Sequence, residues 1–566
     1  MKKALILTTL LILMSSFAQG AISDNIVSYW IFEDYTLPGD KVIDSYERNN
    51  GTLQGANSLA GKVGSGLVFY GNGSSVEVAD SDSLDITDEI TISAWVKGNE
   101  DSFGPAMESV VSKWKSREDL TDASAWSAYD AGSTNGMTTK GYHGAVSDGR
   151  YVYFVPHYDG GYHGRVLRYD TAGSFDSSSS WSAYDAGNTD GLTTKGYLGA
   201  VFDGRYIYFV PFRDGSSYHG RVLRYDTAGS FASSSSWSAY DAGNTGGMTT
   251  IGYAGAVSDG RYIYFVPGSD GRVLRYDTEG DFENSFSWNA YDAGNVDGLL
   301  TVGYRGAVYK GRYIYFVPYD DGSSRHGRVL RYDTNGNFSN SSSWSAYNAA
   351  STDGMSTEGY VGAVSDGRYI YFVPHHDGSS HHGRVLRYDT SGNFSNSSSW
   401  SAYNAASTDG MSTEGYVGAV SDGRHIYLDP WRDGSSYHGR VLRYDTTGNF
   451  GSSSSWSAYD AGSTDSLNTK GYRGAVSDGR YVYFVPYKDG SYHGRVLRYD
   501  TTAGEASYTM RHNSKLSQGY SDSTPGTGFT INTQAGHVYT VTHNENLPNN
   551  TWNHVVGTYN GSKMKL

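Results

Sequence analysis

Between residues 126 and 500, apolar and aromatic residues come in runs of five or six separated by Gly, Asp, Asn and Ser, and no stretch follows a 3.6-residue period. The runs recur. RVLRYD begins at Arg165, Arg221, Arg272, Arg328, Arg384, Arg440 and Arg495. A GYxGAV string has its Tyr at 142, 197, 253, 304, 360, 416 and 472, and a Trp opens each unit at 126, 181, 237, 288, 344, 400 and 456. In the second copy YLGAV (197–201), RYIYFVP (205–211), RVLRYD (221–226) and WSAYD read as four short strands, with Asp203-Gly204 as a hairpin turn. Tyr206, Tyr208 and Val210 point one way and Ile207 and Phe209 the other, so this strand must be covered on both faces. The Gly/Ala/Val-rich first strand suits a crowded inner edge. Units of this length with four strands each predict a seven-bladed β-propeller.

The order of strings also predicts closure. WSAYD at Trp126 precedes any inner strand, while the last unit ends on RVLRYD at Asp500. The early WSAYD is therefore expected as the outer strand of the last blade, which removes an open seam and brings residues 126 and 500 together. Ends that meet suit a domain inserted into another.

At the N-terminus Lys2 and Lys3 precede the apolar run ALILTTLLILM, followed by small residues at Ala18 and Gly20. This reads as a signal peptide over 1–20, so the mature protein is expected to be secreted or held at the cell surface. The run is short for a membrane span, and no later apolar stretch reaches 18 residues, so no transmembrane segment is expected after cleavage. The absence of Cys excludes disulfides, thiol catalysis, cysteine-ligated zinc and a lipid-anchored leader. A net charge of −15 argues against a nucleic-acid partner. The 50 Tyr and 73 Gly come largely from one blade's composition multiplied.

The flanks, 21–115 and 505–566, lie outside the propeller assigned to 116–504. They read VSYWIFEDY, D-x-x-x-x-NNGTLQGA, GKVGSGLVFYGNGSSVEVAD and ITISAWVK, then NTWNHVVGTYNGSKMKL. Trp30, Gly51-Thr52-Leu53, the Gly66–Phe69 strand, Ile92–Val96 and Trp552–Tyr559 stand in the order of the LamG-like (concanavalin A-like) jelly-roll family, which the flanks resemble. The resemblance implies one two-sheet β-sandwich split by the propeller, a final strand expected beyond Leu566, and room for a calcium ion on its rim with no ligands assigned. The fold class expected is thus all-β, a seven-bladed propeller inserted into a LamG-like sandwich.

Two longer loops per blade should share one face: PFRDGSSYHG (211–220) and AGNTDGLTTKG (186–196) in blade two. The first carries a repeated His at 163, 219, 326, 382, 438 and 493, preceded by Tyr162, Tyr218, Arg325, His381, Tyr437 or Tyr492. Near its start stands a mostly aromatic residue: His157, Phe212, Tyr319, His375, Trp431 or Tyr487. Blade three, with PGSDGR, lacks them all. Tyr162, His163, Tyr218, His219, His326, His382, Trp431, Tyr437, His438, Tyr492 and His493 are the candidate ligand-binding residues, as a rim that stacks on sugar rings and bonds hydroxyls. The competing reading makes each His-Gly a turn that pins its loop. One His per blade leaves neighbours too far apart to share a metal, and the DAGNTDG loops lack the oxygen spacing of an EF-hand-type calcium loop, so turn chemistry accounts for them better.

Near-identical blades give symmetric rings of groups, the wrong signature for one asymmetric catalytic site. Blade six departs from the others through His425, Asp429 and Trp431 in RHIYLDPW, with His425 and Asp429 four apart on one strand and so on one face. The expected function is non-catalytic binding or adhesion, with a glycan or extracellular protein as partner and no cofactor. The rivals are a polysaccharide-degrading enzyme with a propeller active site, and a structural spacer in a surface protein.

Overall fold

The computed structural model describes residues 119–501 without a break. In the flanks it describes 5–13, 26–30, 41–42, 44–45, 49–54, 57–60, 62, 65–69, 75–78, 84, 89–98, 108–113, 507–513, 526–532, 538–543, 553–560 and 564–565. The chain forms two compact units, one of residues 119–147 with 151–500, the other of 1–118, 148–150 and 501–566.

The larger unit is a seven-bladed propeller. In blade one Tyr142–Ser147, Tyr151–Pro156, Arg165–Asp170 and Trp181–Asp185 form an antiparallel sheet in that order. Blade seven takes its fourth strand from the other end of the chain. Trp126–Asp130 lies beside Arg495–Asp500, with Trp126 opposite Tyr499 and Asp130 opposite Arg495. The closure read from the order of strings is the one observed.

Alternation along the second strand packs the blades. In blade two Ile207 and Phe209 pack with Tyr153 and Val155 of blade one, while Tyr208 and Val210 pack with Ile263 and Phe265 of blade three. All of these are at most 1% exposed. Burial on both faces is the main stabilising term, at roughly 25 cal/mol per Å² of apolar surface. The outer edge adds a girdle of rings: Tyr184 stacks on Trp237 at 5.0 Å, and Tyr459 on Trp126 at 5.2 Å repeats the contact across the closure. In six blades, all but blade six, the second Arg of RVLRYD is clamped between rings of two blades. Arg224 lies 4.5 Å from the Tyr206 ring and 4.1 Å from the Phe282 ring of the next blade. Each such cation–π contact contributes on the order of 1 kcal/mol.

The Asp-Gly turns behave as read. Asp203 Oδ1 accepts the Arg205 and Tyr206 N–H groups, Oδ2 accepts the Tyr208 hydroxyl, and Gly204 sits at φ 96°. The longer connections are more ordered than their composition suggests. Asn188–Thr189 pairs with Leu192–Thr193 through a turn with Asp190 at φ 50° and Gly191 at φ 75°. Both central residues at positive φ favour Asp-Gly.

In the smaller unit, strands of the two flanks pair with each other. Glu89–Gly98 lies beside Asn553–Asn560, and Glu108–Lys113 beside Ser507–Asn513. Trp30 Nε1 donates to the Asn49 carbonyl at 2.7 Å, and Asp44 receives the Tyr29 and Asn49 N–H groups. The N-terminal run differs from expectation. Leu5–Leu13 is a strand between Ser65–Phe69 and Glu89–Gly98, paired also with Ile26–Trp30. An apolar run attached to the chain can satisfy its backbone donors and acceptors in such a ladder. Residues 14–25, with Ala18 and Gly20, and 544–552, with Trp552, lie outside the described residues, and of 61–64 only Lys62 is described.

Candidate functional site

The repeated His residues turn inward. His163, His219, His326, His382, His438 and His493 are 1–2% exposed. In blade two His219 Nε2 meets the Lys195 carbonyl at 2.8 Å, and Nδ1 accepts the Arg221 N–H at 3.2 Å. The same pair of backbone partners holds the other five. Burial and the adjacent Arg lower each to about 4, so the rings are neutral. With both nitrogens occupied, these six His residues pin the loop and offer no atom to a ligand. This corrects their place among the candidate ligand residues.

The aromatic candidates form a two-tier collar at the same end. His157, Phe212, Tyr319, His375, Trp431 and Tyr487 make the inner tier, in contact at several joints: Trp431–Tyr487 5.6 Å, Tyr487–His157 6.0 Å, His157–Phe212 6.1 Å and Tyr319–His375 6.1 Å. Tyr162, Tyr218, Tyr437 and Tyr492 stand edge-on behind His157, Phe212, Trp431 and Tyr487 at 4.9–5.4 Å. Tyr218 is 45% exposed, while Trp431 and Tyr487 are each 7% exposed. Blade three, where the loop shrinks to Gly268-Ser269-Asp270, leaves a gap in the collar.

Inside the otherwise invariant GYxGAV string the x position varies: His143, Leu198, Ala254, Arg305, Val361, Val417 and Arg473. A bulge falls at this point in every inner strand, between Tyr142 and Ala145 in blade one. Bulges re-aim the side chain they carry. The following Gly residues line the axis so closely that a methyl added at Gly144 would meet the Gly199 Cα at 3.1 Å, and one at Gly474 the Gly144 Cα at 3.1 Å. His143 meets the inner tier, 5.6 Å from the His157 ring. Arg473 Cζ lies 4.3 Å from the Trp431 ring and 4.4 Å from the Tyr487 ring, and Arg305 lies 5.0 Å from the Tyr319 ring. Burial, then the charges of Arg473 and nearby groups, lowers His143 and takes His157 down to about 3; burial and His381, then Arg473, lower His375. The mouth thus offers two cations, three neutral imidazoles and aromatic walls.

Blade six's departures separate into two places. Along a strand four residues span roughly 13 Å, so His425 and Asp429 share a face without forming a pair. His425 stands at the far end from the collar, 3.4 Å from Asp422. Asp429 replaces the Val of the other blades, is fully buried, and its Oδ2 accepts the Gly474 N–H at 2.7 Å while Oδ1 has no hydrogen-bond partner. Burial raises it to about 7. It therefore tethers the residue after Arg473, whose guanidinium rests on Trp431 two positions on from Asp429.

The acidic loops are used by the fold. Asp185 caps the Gly187 N–H at 3.0 Å, and Asp190 reaches the Ala239 N–H of the next outer strand at 2.9 Å. Among the described residues no group of three or more His, Cys, Asp or Glu gathers to hold a metal. A groove of about 560 Å³ at the outer edge of blade two is lined by Tyr184, Asp190, Arg224, Trp237 and Glu283, away from the collar, and much of its lining serves the contacts between blades.

The match to a family model agrees with the propeller fold. A family described as a domain of unknown function (DUF5122) beta-propeller matches residues 147–178. Among solved structures, a selenomethionine-substituted virginiamycin B lyase from Staphylococcus aureus is similar at 14% identity, covering 66% of this chain and 98% of its own, with a TM-score of 0.43. A likeness that distant bears on neither residues nor chemistry. No curated protein matches.

Proposed function

We propose that this chain is an exported, non-catalytic binding protein that takes a carbohydrate at the collar of its propeller. The aromatic inner tier carries the reading: rings from six of the seven blades surround one mouth, backed by a second tier that fixes their orientation. Rigid rings beside imidazole and guanidinium donors suit a sugar's apolar face and hydroxyls. The charged leader pattern at Lys2 and Lys3 supports export, and the LamG-like order of motifs in the flanks favours a carbohydrate or matrix-type ligand.

The test is a glycan array on the full chain, repeated with Trp431→Ala and Tyr487→Ala, and with His219→Gln as a variant that touches a loop pin alone. Binding that the collar variants lose and His219→Gln keeps is the expected result. Absence of binding to every glycan would sink the proposal. A second reading, a polysaccharide-degrading enzyme, rests on the unpartnered oxygen of buried Asp429. Hydrolytic or eliminative turnover abolished by Asp429→Asn would establish it instead.

A further inference from the structure

Two of the seven x positions of GYxGAV carry a cation, Arg305 and Arg473. The first Arg of RVLRYD is paired with a loop Asp in all seven blades: Arg165–Asp159, Arg221–Asp214, Arg272–Asp270, Arg328–Asp321, Arg384–Asp377, Arg440–Asp433 and Arg495–Asp489. Each of these Arg residues is thus matched by its own loop carboxylate. Arg305 and Arg473 differ. Among the described residues neither has an acidic side chain at ion-pairing distance, and the Nε of each is buried without a hydrogen-bond partner. Aromatic faces hold both guanidiniums, Arg473 between two rings and Arg305 beside one. A half-buried cation without a counterion carries an uncompensated desolvation cost. Each Arg also faces the other's charge, since Arg473 is among the groups that lower Arg305.

Blade six is built around one of them. Asp429 fixes the Gly474 N–H next to Arg473, and Trp431 supplies one ring of its clamp. The segment Asp429-Pro430-Trp431 therefore positions a guanidinium at a bulge that aims it to the mouth. The histidines beside it, His143 and His157, are neutral and so add donors without further positive charge.

We propose that Arg305 and Arg473, with His143, form an anion site at the axial mouth that selects a carboxylate-bearing sugar, a uronic-acid unit, from among the glycans the collar stacks against. A planar guanidinium matches a carboxylate through two parallel N–H bonds. The inference rests on the carbohydrate reading above and narrows it to one chemical class.

The experiment titrates the full chain with an oligosaccharide of glucuronic acid and with the matching glucose oligosaccharide, by calorimetry and by Trp fluorescence. The acidic oligosaccharide is expected to bind more tightly, to weaken as salt rises from about 20 to 500 mM, and to lose about ten-fold or more in affinity in Arg473→Gln and in Arg305→Gln. Arg473→Lys should fall between. Thermal unfolding checks that each variant folds, and the salt series on the unaltered protein serves if Arg473→Gln does not. Equal affinity for the two oligosaccharides, or glucuronate affinity unchanged in both Gln variants, would overturn the anion site while leaving the carbohydrate reading standing. No binding of either oligosaccharide, with no binding on the glycan array, overturns both.

Discussion

The carboxylate of Asp465 accepts the backbone N–H of Ala128 at 2.8 Å, joining positions 337 residues apart. It is the closing member of a series. Asn135 reaches Ala183, Asp190 reaches Ala239, Asp297 reaches Ala346, Asp353 reaches Ala402 and Asp409 reaches Ala458 in the same way. Each latch runs from a connecting hairpin to the outer strand of the following blade. Each accepting Asn or Asp sits at a φ of 50–51°, a conformation these residues tolerate.

One latch is missing. Blade three has Gly246 where the others have Asp or Asn, at φ 60° and with open space where a Cβ would stand. Gly246→Asp is expected to reach Ala290 and stabilise the propeller by about 0.5–1 kcal/mol. Asp465→Ala should destabilise it by about 1 kcal/mol, because the lost bond guards the closure. Urea midpoints measure both; a Gly246→Asp protein less stable than its parent would show that the latch contributes nothing there.

The six loop-pinning histidines tie stability to acid. Their folded values near 4 lie below the ordinary 6.5 because burial and an adjacent Arg disfavour the charged ring. As pH falls below 6.5 the unfolded chain takes up protons that the folded chain refuses. Their contribution is therefore complete above about 6.5 and lost as pH drops through 4. Urea unfolding at pH 7.5 and pH 5 should give a clearly lower midpoint at pH 5. Identical midpoints would mean that the rings are not held neutral.

Asp429 runs the opposite way. Burial lifts it from 3.8 to about 7, so its contribution is full below 3.8 and fades as pH rises through 7. Asn keeps the oxygen that accepts the Gly474 N–H and removes the charge. Asp429→Asn should thus be more stable than its parent at pH 8, with the difference shrinking toward pH 4. Thermal melts across that range decide it, and a variant less stable at pH 8 would mean that the charged carboxylate is the favoured form.

Much of the propeller was legible because its signals are local strings repeated at a fixed interval. The period, the alternation in RYIYFVP and the early Trp126 strand together specify blades, packing and closure. The site was not legible by the same means. The His residues are repeated because their blades need the same pin, so repetition marks structure there and not a site. His143, Arg305 and Arg473 occupy a single column inside a near-invariant string, and their meaning depends on a bulge that places one column around one axis. The signal was present in the sequence as a column reading His, Leu, Ala, Arg, Val, Val, Arg. Asp429 and Trp431 were noticed as departures, but their common target lies in the next blade. His425 belongs with another change at the seam: Leu120 stands where the other outer segments carry a Phe, its carbonyl receiving Trp126 Nε1 as Phe175 receives Trp181. Both ring positions of the Arg clamp are thus altered together at the closure.

The geometry of that closure has a mechanical side. Trp126 lies opposite Tyr499, so the chain enters and leaves the propeller at the same end of one antiparallel pair. Tension applied between residues 119 and 501 would load this pair end-on, parting Trp126 from Tyr499 first and the remaining rungs in turn, as a zipper opens. An antiparallel pair pulled from opposite ends would have to break its rungs together. The blade that makes the ring continuous is accordingly its low-force fuse, and the Asp465 latch on Ala128 is a catch set two residues into the tear.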